Sequence, residues 1–550
     1  MSLPNESSSR AVPALVLRLL QQRGLHAEQI DHFLTPSYER DLHDPFGLND
    51  MAAAVDRIGL AVQRSEKVAV YGDYDIDGIT ATTVMCEGLR AQGLDPLPYI
   101  PDRFEEGYGI NQPALAALQS QGVSLVISVD CGVTSVAEAA WAREHGLDLI
   151  ITDHHAVPPE LPEAVAVVNP KRSHETYPFT ELAGVGVAFK VIQALAARTG
   201  RPAKGQEKWL LDLVAFGTVC DVVPLVGENR ALVHFGLKVL AKTRRVGLRA
   251  LAEVAGFDIS NVRSHHLGYM FGPRMNAAGR LEHAARSLEL VMTDDAVRSS
   301  RIAFELDQLN SQRRTDQQRI VKEALAQAEQ YPNDPVLVLA DGGWSHGIVG
   351  IAASKIAEAL HKPVLVAQIL GDSVKGSARS VPGFDIIAAL RARPDLFVRY
   401  GGHAFAAGFT IAADRLPELR QHVVGYWLEH APAAAAPGLG PDVVVEQLDD
   451  LAWPTFEALE LMEPFGNGNP EPLFGLTARL DQAKRIGADG KHLRLVLRDS
   501  VGGRLQAVGF GFGDDLERLP TARRVVGNLN KNEYQGTTSL QFLIRDISYE

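Results

Sequence analysis

The sequence predicts an α/β protein in three parts: a parallel-sheet lobe, a second α/β lobe joined to it by a long helix, and a small β-barrel domain after them. Three observations carry this. Between Lys67 and Pro170 short apolar runs alternate with amphipathic ones, residues 291–330 are polar with helical spacing, and beyond Leu473 the runs become short and strand-like. At 550 residues the chain is too long for one ordinary core, so several domains are expected.

Taken in order, residues 1–60 read as an N-terminal helical segment and 61–290 as the first lobe with a helical extension. In that lobe "KVAVYGDYD", "PLPYI", "VSLVISVD" and "DLIITDHH" are strands separated by helical stretches, the pattern of a parallel sheet covered on both faces. The connector, 291–330, has only Ile302, Leu306, Leu309, Ile320 and Leu325 as widely spaced apolar residues, too few for a helix buried all round. Residues 331–430 form the second lobe, and "APAAAAPGLGP", 431–441, reads as a linker. Residues 442–550, with "HLRLVLRD", "RLQAVGFGF" and "TSLQFLIRDI", suggest an OB-like nucleic-acid-binding barrel, which would supply a further surface for base stacking and backbone tracking.

Composition limits the function classes. The 46% hydrophobic and 22% charged content fits a globular enzyme. No apolar run reaches the roughly 20 residues of a membrane helix, and "AVPALVLRLLQQ" is interrupted by Arg18, so a cytoplasmic protein is expected. Three cysteines with no CxxC pair point to neither a disulfide framework nor a thiolate zinc site. A formal charge of -13 argues against nonspecific coating of DNA, yet leaves room for a narrow basic channel.

The chemistry gathers where strands stop, which is where open α/β sheets bind ligands. Asp73, Asp75 and Asp77 alternate after the first strand, Asp130 closes another, His154 and His155 close a third, and Asp221 ends the apolar segment "FGTVC". Carboxylates at alternate positions of an extended chain lie about 6 to 7 Å apart and repel by roughly 2 kcal/mol at an effective dielectric near 20. Such a crowd calls for cations. Carboxylates with imidazole and no thiolate suit Mn2+ or Mg2+, and the number of ligands suits two ions acting on a phosphoryl group.

In this order "GDYDIDG", "VDCG", "DHH" and "VCDVVPL" resemble the successive motifs of the DHH phosphoesterase superfamily, most closely those of its bacterial single-strand-specific exonucleases. "GPRMNAAGRLEHA", "SHGIVGIAASKIAE", "KGSARS" and "GGHAFAAGF" resemble the remaining segments, including the DHH-associated domain. The resemblance covers nearly the whole chain. It implies metal-dependent hydrolysis of single-stranded DNA in the 5′ to 3′ direction to 5′-mononucleotides, in recombination and repair. Single-strand-binding protein and a RecQ-type helicase are the implied partners of a chain expected to be monomeric. Asp75, Asp77, Asp130, His154 and Asp221 would be metal ligands, with Asp73 and His155 at the same catalytic site. Many relatives carry histidine where this chain has Tyr71, which removes one ligand.

Arg103, Arg274, Arg280, Ser377 and Arg379 are expected in Gly-rich loops, where arginine forks and close backbone approach suit a 5′-terminal phosphate. Gln312, Arg313 and Arg314 would line the passage between lobes, and His403 would meet the scissile region. Trp344 is open to base stacking or to a core role. A gap between lobes would admit one strand and exclude a duplex. Two alternatives remain: a nanoRNase-like or pyrophosphatase-like enzyme of short substrates, and an inactive DNA-binding scaffold.

Overall fold

A computed structural model describes residues 12–103, 106–107, 109–281, 283–430, 440–534 and 536–549. Residues 1–11 of the expected N-terminal segment and 431–439 of the expected linker lie outside the described residues.

The first lobe is built on β1 (Val68–Gly72), β2 (Leu97–Tyr99), β3 (Leu125–Val129), β4 (Asp148–Thr152) and β5 (Ala166–Val168). They pair in parallel in the order β2-β1-β3-β4-β5. Every residue of β1 and β3 is buried, because both faces are covered. Val68, Val70, Leu125 and Ile127 pack against the helices Ile76–Ala91, Gly184–Thr199 and Leu211–Cys220. Ala69, Tyr71 and Val126 face Leu115, Leu118, Ala139 and Ala142 on the other side.

The connector is one helix, Ala296–Ala328, of 33 residues and so about 50 Å long. Asp295 caps it, accepting from the Val297 and Arg298 amides. Its few apolar residues serve two cores in succession: Ile302 and Leu306 join the first lobe, Ile320 and Ala324 the second. Each core needs only half of the helix, which explains the sparse pattern.

The second lobe orders β6 (Leu337–Asp341), β7 (Val364–Leu370), β8 (Ser373–Arg379), β9 (Arg399–His403) and β10 (Ala406–Ala412) as β6-β7-β8-β10-β9. Only β6 and β7 run parallel, linked by the helix His346–Leu360. Trp344 is buried, and its indole donates to Glu323 at 2.8 Å. It is a core residue, which removes the stacking alternative.

The last domain contains β11 (Val443–Val445), β12 (Phe474–Leu476), β13 (Arg479–Ile486), β14 (His492–Arg498), β15 (Arg504–Gly509), β16 (Ala522–Tyr534) and β17 (Thr537–Tyr549). Their order is β11-β12-β16-β17-β15-β14-β13. β12 and β13 are nearly continuous in the chain yet stand far apart in this order, which requires the sheet to curl on itself. The N-terminal helix Ala14–Gln22 is not an independent segment: Leu15, Val16, Leu19 and Leu20 share the core of this domain with Phe456 and Leu459. Arg18 completes the junction by donating to the Val444 carbonyl at 2.7 Å. Among the described residues no helix is long and apolar enough to cross a membrane.

Candidate metal centre and substrate cleft

β1 ends at Gly72, and Asp73 follows it into a buried position. Asp75 caps the helix Ile76–Ala91 by accepting from the Gly78 amide at 3.2 Å. Asp77 lies in that helix's first turn, 1% exposed, and its carboxylate accepts from the amides of Gly184 (2.6 Å) and Val185 (2.9 Å). Those amides begin the helix Gly184–Thr199, whose positive end favours an anion.

Asp130 leaves β3 with φ 61°, a left-handed conformation that aspartate tolerates better than most residues. Gly184 makes room for it, since a Cβ there would lie 2.6 Å from Asp130 Cβ. His154 follows β4. Its Nε2 faces three carboxylates: Asp130 Oδ1 at 3.1 Å, Asp221 Oδ2 at 3.5 Å and Asp77 Oδ2 at 3.8 Å. Asp221 stands at the C-terminal end of the helix Leu211–Cys220.

The seven acids and imidazoles singled out in the sequence therefore converge. Their ligand atoms form three overlapping groups, each within 4.8 Å: Asp130, His154 and His155; Asp77, His154 and Asp221; Asp73, Asp75 and Asp130. Burial and neighbouring carboxylates push Asp73, Asp77, Asp130 and Asp221 above the usual carboxylate range. Burial, reinforced by His155, lowers His154 to about 3 and holds its ring neutral. Asp73 Oδ1 and His154 Nδ1 are buried without a hydrogen-bond partner, and Asp130 Oδ1 and His154 Nε2, although 3.1 Å apart, are not aligned for one, a costly state in a folded protein. Neutral imidazole and oxygen donors left unsatisfied around one cavity fit divalent cations.

Asp153, the acid of the DHH segment at the end of β4 and not among the expected ligands, holds this arrangement. Its carboxylate accepts from the amides of Val133 (2.9 Å), His154 (2.7 Å) and His155 (3.1 Å), and lies 2.7 Å from His155 Nδ1. Burial opposes its charge, but the His155 contact and the Val133 amide outweigh it and its pKa is lowered. Tyr71 is turned away into the core, where its hydroxyl donates to the Gly109 carbonyl at 3.0 Å.

A second group of charges faces the acids. Burial lowers Arg280 to about 10, and the nearby Arg103, Arg313 and Arg379 act in the same direction. Arg379 donates to Ser377 Oγ at 2.8 Å and to Ser354 Oγ at 3.1 Å. Glycine allows the helix His346–Leu360 to reach them, because a Cβ at Gly347 would lie 2.3 Å from the Arg280 carbonyl oxygen. Arg103 lies over the Tyr74 ring at 5.0 Å. His403 and Arg379 both stand opposite Ala406, on either side of β10, so the two share one face of the sheet.

The Gly-rich loops expected around four of the phosphate-binding residues are regular elements instead: Arg274 and Arg280 lie on the helix Gly272–Leu281, and Ser377 and Arg379 on β8. Arg274 does not join this group. Its guanidinium pairs with Asp307 at 2.8 Å and donates to the Met270 carbonyl. On the connector Arg313 lines the cleft, whereas Gln312 and Arg314 are exposed on the same turn. The cleft, of about 1420 Å³, runs from Cys220 and Arg280 to Lys531 and Arg545 of the last domain. Tyr269, 81% exposed on a π-helical turn, also lines it; nothing in its sequence context marks it.

A parallel sheet with acids and imidazoles at its carboxyl edge, and beside them arginines drawn from the first lobe, the connector and the second lobe, defines a protein of the DHH family. Residues 67–218 match that family's N-terminal domain, 333–428 the DHHA1 domain and 442–546 the RecJ OB domain. The single-stranded-DNA-specific exonuclease RecJ of Bacillus subtilis is 37% identical over 98% of this chain and 68% of its own length. The crystal structure of RecJ from Thermus thermophilus in complex with Mn2+ superposes with a TM-score of 0.84 at 31% identity, over 98% of this chain and 76% of that one. Its complex with Mg2+ gives a TM-score of 0.79 at 30% identity, with coverages of 98% and 75%. The chain belongs to the RecJ family of single-stranded-DNA-specific exonucleases.

Proposed function

We propose that this chain is a two-metal-dependent exonuclease that hydrolyses single-stranded DNA from the 5′ end and releases 5′-mononucleotides. The observation that carries this reading is the convergence of carboxylates on one neutral, buried imidazole, with unsatisfied oxygen and nitrogen atoms between them. Asp75, Asp77, Asp130, His154 and Asp221 would hold two divalent cations, Mn2+ or Mg2+, with Asp73 and His155 beside them. When bound, such ions offset the carboxylate charge, activate water and stabilise the charge that builds on the phosphoryl oxygens.

The chain's own residues supply position. The Gly184 and Val185 amides fix Asp77, and Asp153 fixes the segment that carries both histidines. Arg280, Arg379, Ser377 and Arg103 would clamp the 5′-terminal phosphate, which sets polarity, and His403 would contact the backbone from the same sheet face. A cleft of about 1420 Å³ exceeds the roughly 300–1,000 Å³ of small-ligand pockets, which supports a polymer over a dinucleotide. The intact ligand set argues against an inactive scaffold.

The test is degradation of 5′- and 3′-blocked single strands with and without each metal. Loss of activity with a blocked 5′ end supports the reading; unimpeded digestion of that substrate contradicts it. The same reading includes a cytoplasmic monomer that works with single-strand-binding protein and a RecQ-type helicase, to be checked by sedimentation and by pull-down with purified partners.

A further inference from the structure

The second lobe carries more positive charge beside the phosphate-binding residues than one terminal phosphate requires. Strand pairing across β8, β10 and β9 sets three rows on one face of the sheet: Arg379, Ala406 and His403; Ser377, Gly408 and Gly401; Lys375, Thr410 and Arg399. Val374, Ala378, Phe409 and Ile411 are buried in the core on the opposite face, so the rows share the other side. The helix His346–Leu360 covers β6 and β7 there, whereas Gly401, His403 and Gly408 are exposed. Lys375 and Arg399 are exposed as well, and among the described residues no ion pair engages either. The third row lies about 7 Å from the second along the strands, and its two cations stand about 10 Å apart across β10.

The same row continues through Gln368 to Asp341. Gln368 accepts from the His346 amide at 3.0 Å. Asp341, the one acid of the row, stands two strands from Lys375 and accepts from the Gly343 amide at 2.7 Å. Burial lowers the pKa of His346, and the positive charges of Lys375 and Arg103 act in the same direction, so Lys375 lies within electrostatic reach of the phosphate-binding group. A charge on the edge strand β9 guards that edge. Lys375 stands on an inner strand, where no such role exists.

We infer that the row Lys375, Thr410 and Arg399 is a subsite for the outer phosphates of a strand that begins with a 5′-di- or triphosphate, so that such strands are substrates beside 5′-monophosphorylated ones. The inference rests on the exonuclease reading given above and deepens it at the same site. With the first phosphate on Ser377 and Arg379, two further phosphoryl groups joined through bridging oxygens span a distance of the same order as the step to Lys375. An ammonium group, a hydroxyl and an arginine fork meet them there. The diester chemistry is unchanged: water attacks the phosphorus between the first two nucleosides, the bond from that phosphorus to the 3′ oxygen breaks, and the oxygen takes up a proton. The first product is a nucleoside 5′-triphosphate, and the remaining strand begins with a 5′-monophosphate.

The test uses (dT)20 with a 3′-fluorescein and a 5′-hydroxyl, 5′-monophosphate or 5′-triphosphate. Binding to the full chain is read by anisotropy in EDTA, and the first product of a single turnover with Mn2+ is identified by chromatography. The native chain should bind the triphosphorylated strand at least as tightly as the monophosphorylated one and release a nucleoside triphosphate from it. The double variant Lys375→Gln, Arg399→Gln should weaken binding of the triphosphorylated strand about tenfold, with the other two strands within about twofold. Weaker binding of the triphosphorylated strand by the native chain, or the same effect of the variant on all three strands, would overturn the inference. So would release of pyrophosphate, which would put the outer phosphates at the metal centre. A monophosphorylated strand left uncut sinks the exonuclease reading itself, and this subsite with it.

Discussion

Asn467, in the loop before β12 of the last domain, donates its side-chain amide to the Val222 carbonyl at 2.8 Å, one residue beyond Asp221. Leu225 reciprocates, its amide donating to the Asn467 carbonyl at 2.7 Å. Val222 has φ 62°, a conformation that a β-branched residue adopts only at a cost of about 1–2 kcal/mol. The last domain therefore holds a strained residue that fixes the direction of a candidate metal ligand.

Removing this clamp should act on the centre from outside it. Asn467→Ala is expected to lower Mn2+ affinity severalfold and kcat about tenfold, with an unchanged far-UV spectrum. Val222→Gly, which relieves the strain, should leave the melting temperature equal or higher. Isothermal titration with Mn2+ and single-turnover cleavage check the first variant and a thermal melt the second; native Mn2+ affinity in Asn467→Ala would remove the coupling.

The acids of the centre repel one another when no ion is bound, so their removal should have opposite effects with and without metal. Asp130→Asn keeps a residue that tolerates the positive φ and deletes one buried charge. Its metal-free melting temperature should match or exceed that of the native chain. The native chain should gain about 2.7 kcal/mol from Mn2+ at a hundredfold excess over Kd. Asp130→Asn should lose most of that gain and all measurable cleavage. An undiminished Mn2+ shift in the variant would exclude Asp130 as a ligand.

How much of this was legible in the sequence follows from what each signal reports. Continuous apolar runs that stop at an acid located β1 and β3 and the acids after them, because burial on both faces of a parallel sheet leaves polar residues only at its edge. The place of Asp153, at the head of the DHH motif, was legible, but its work was not, since accepting three amides and meeting His155 depends on a loop path that no periodicity encodes. The helix Ala14–Gln22 was recognisable as amphipathic, but the partner of its apolar stripe lies more than 400 residues away. Arg274 and Arg280 share one motif and could not be told apart; six positions along the same helix turn one to Asp307 and the other to the cleft.

That last difference gives a paired prediction. Arg280→Gln should abolish any preference for a 5′-phosphorylated over a 5′-hydroxyl strand, mainly through KM, because a charge-assisted hydrogen bond to the terminal phosphate disappears. Arg274→Gln should keep the preference and lower stability by about 1–3 kcal/mol, since it leaves half-buried Asp307 without its partner. Steady-state kinetics on the two substrates, with denaturant melts, separate the roles. A preserved preference in Arg280→Gln would place the phosphate elsewhere.

The junction between the first lobe and the last domain should loosen in acid. His234 lies on the helix Gly227–Leu240, and burial, with the positive charges of Lys238 and Arg230, lowers its pKa from 6.5 to about 4. The folded state thus binds fewer protons than the unfolded state between these values. The contribution of neutral His234 is complete above pH 6.5 and is lost progressively as the pH falls towards about 4. Arg230 anchors the same junction by donating to the Leu461 and Glu463 carbonyls at 3.1 and 3.0 Å, so protonation of His234 adds a third positive charge where two already stand. His234→Gln should flatten the fall in melting temperature over this interval while leaving the curve above about pH 7 parallel to that of the native chain. An equally steep decline in the variant would assign the acid sensitivity to other groups.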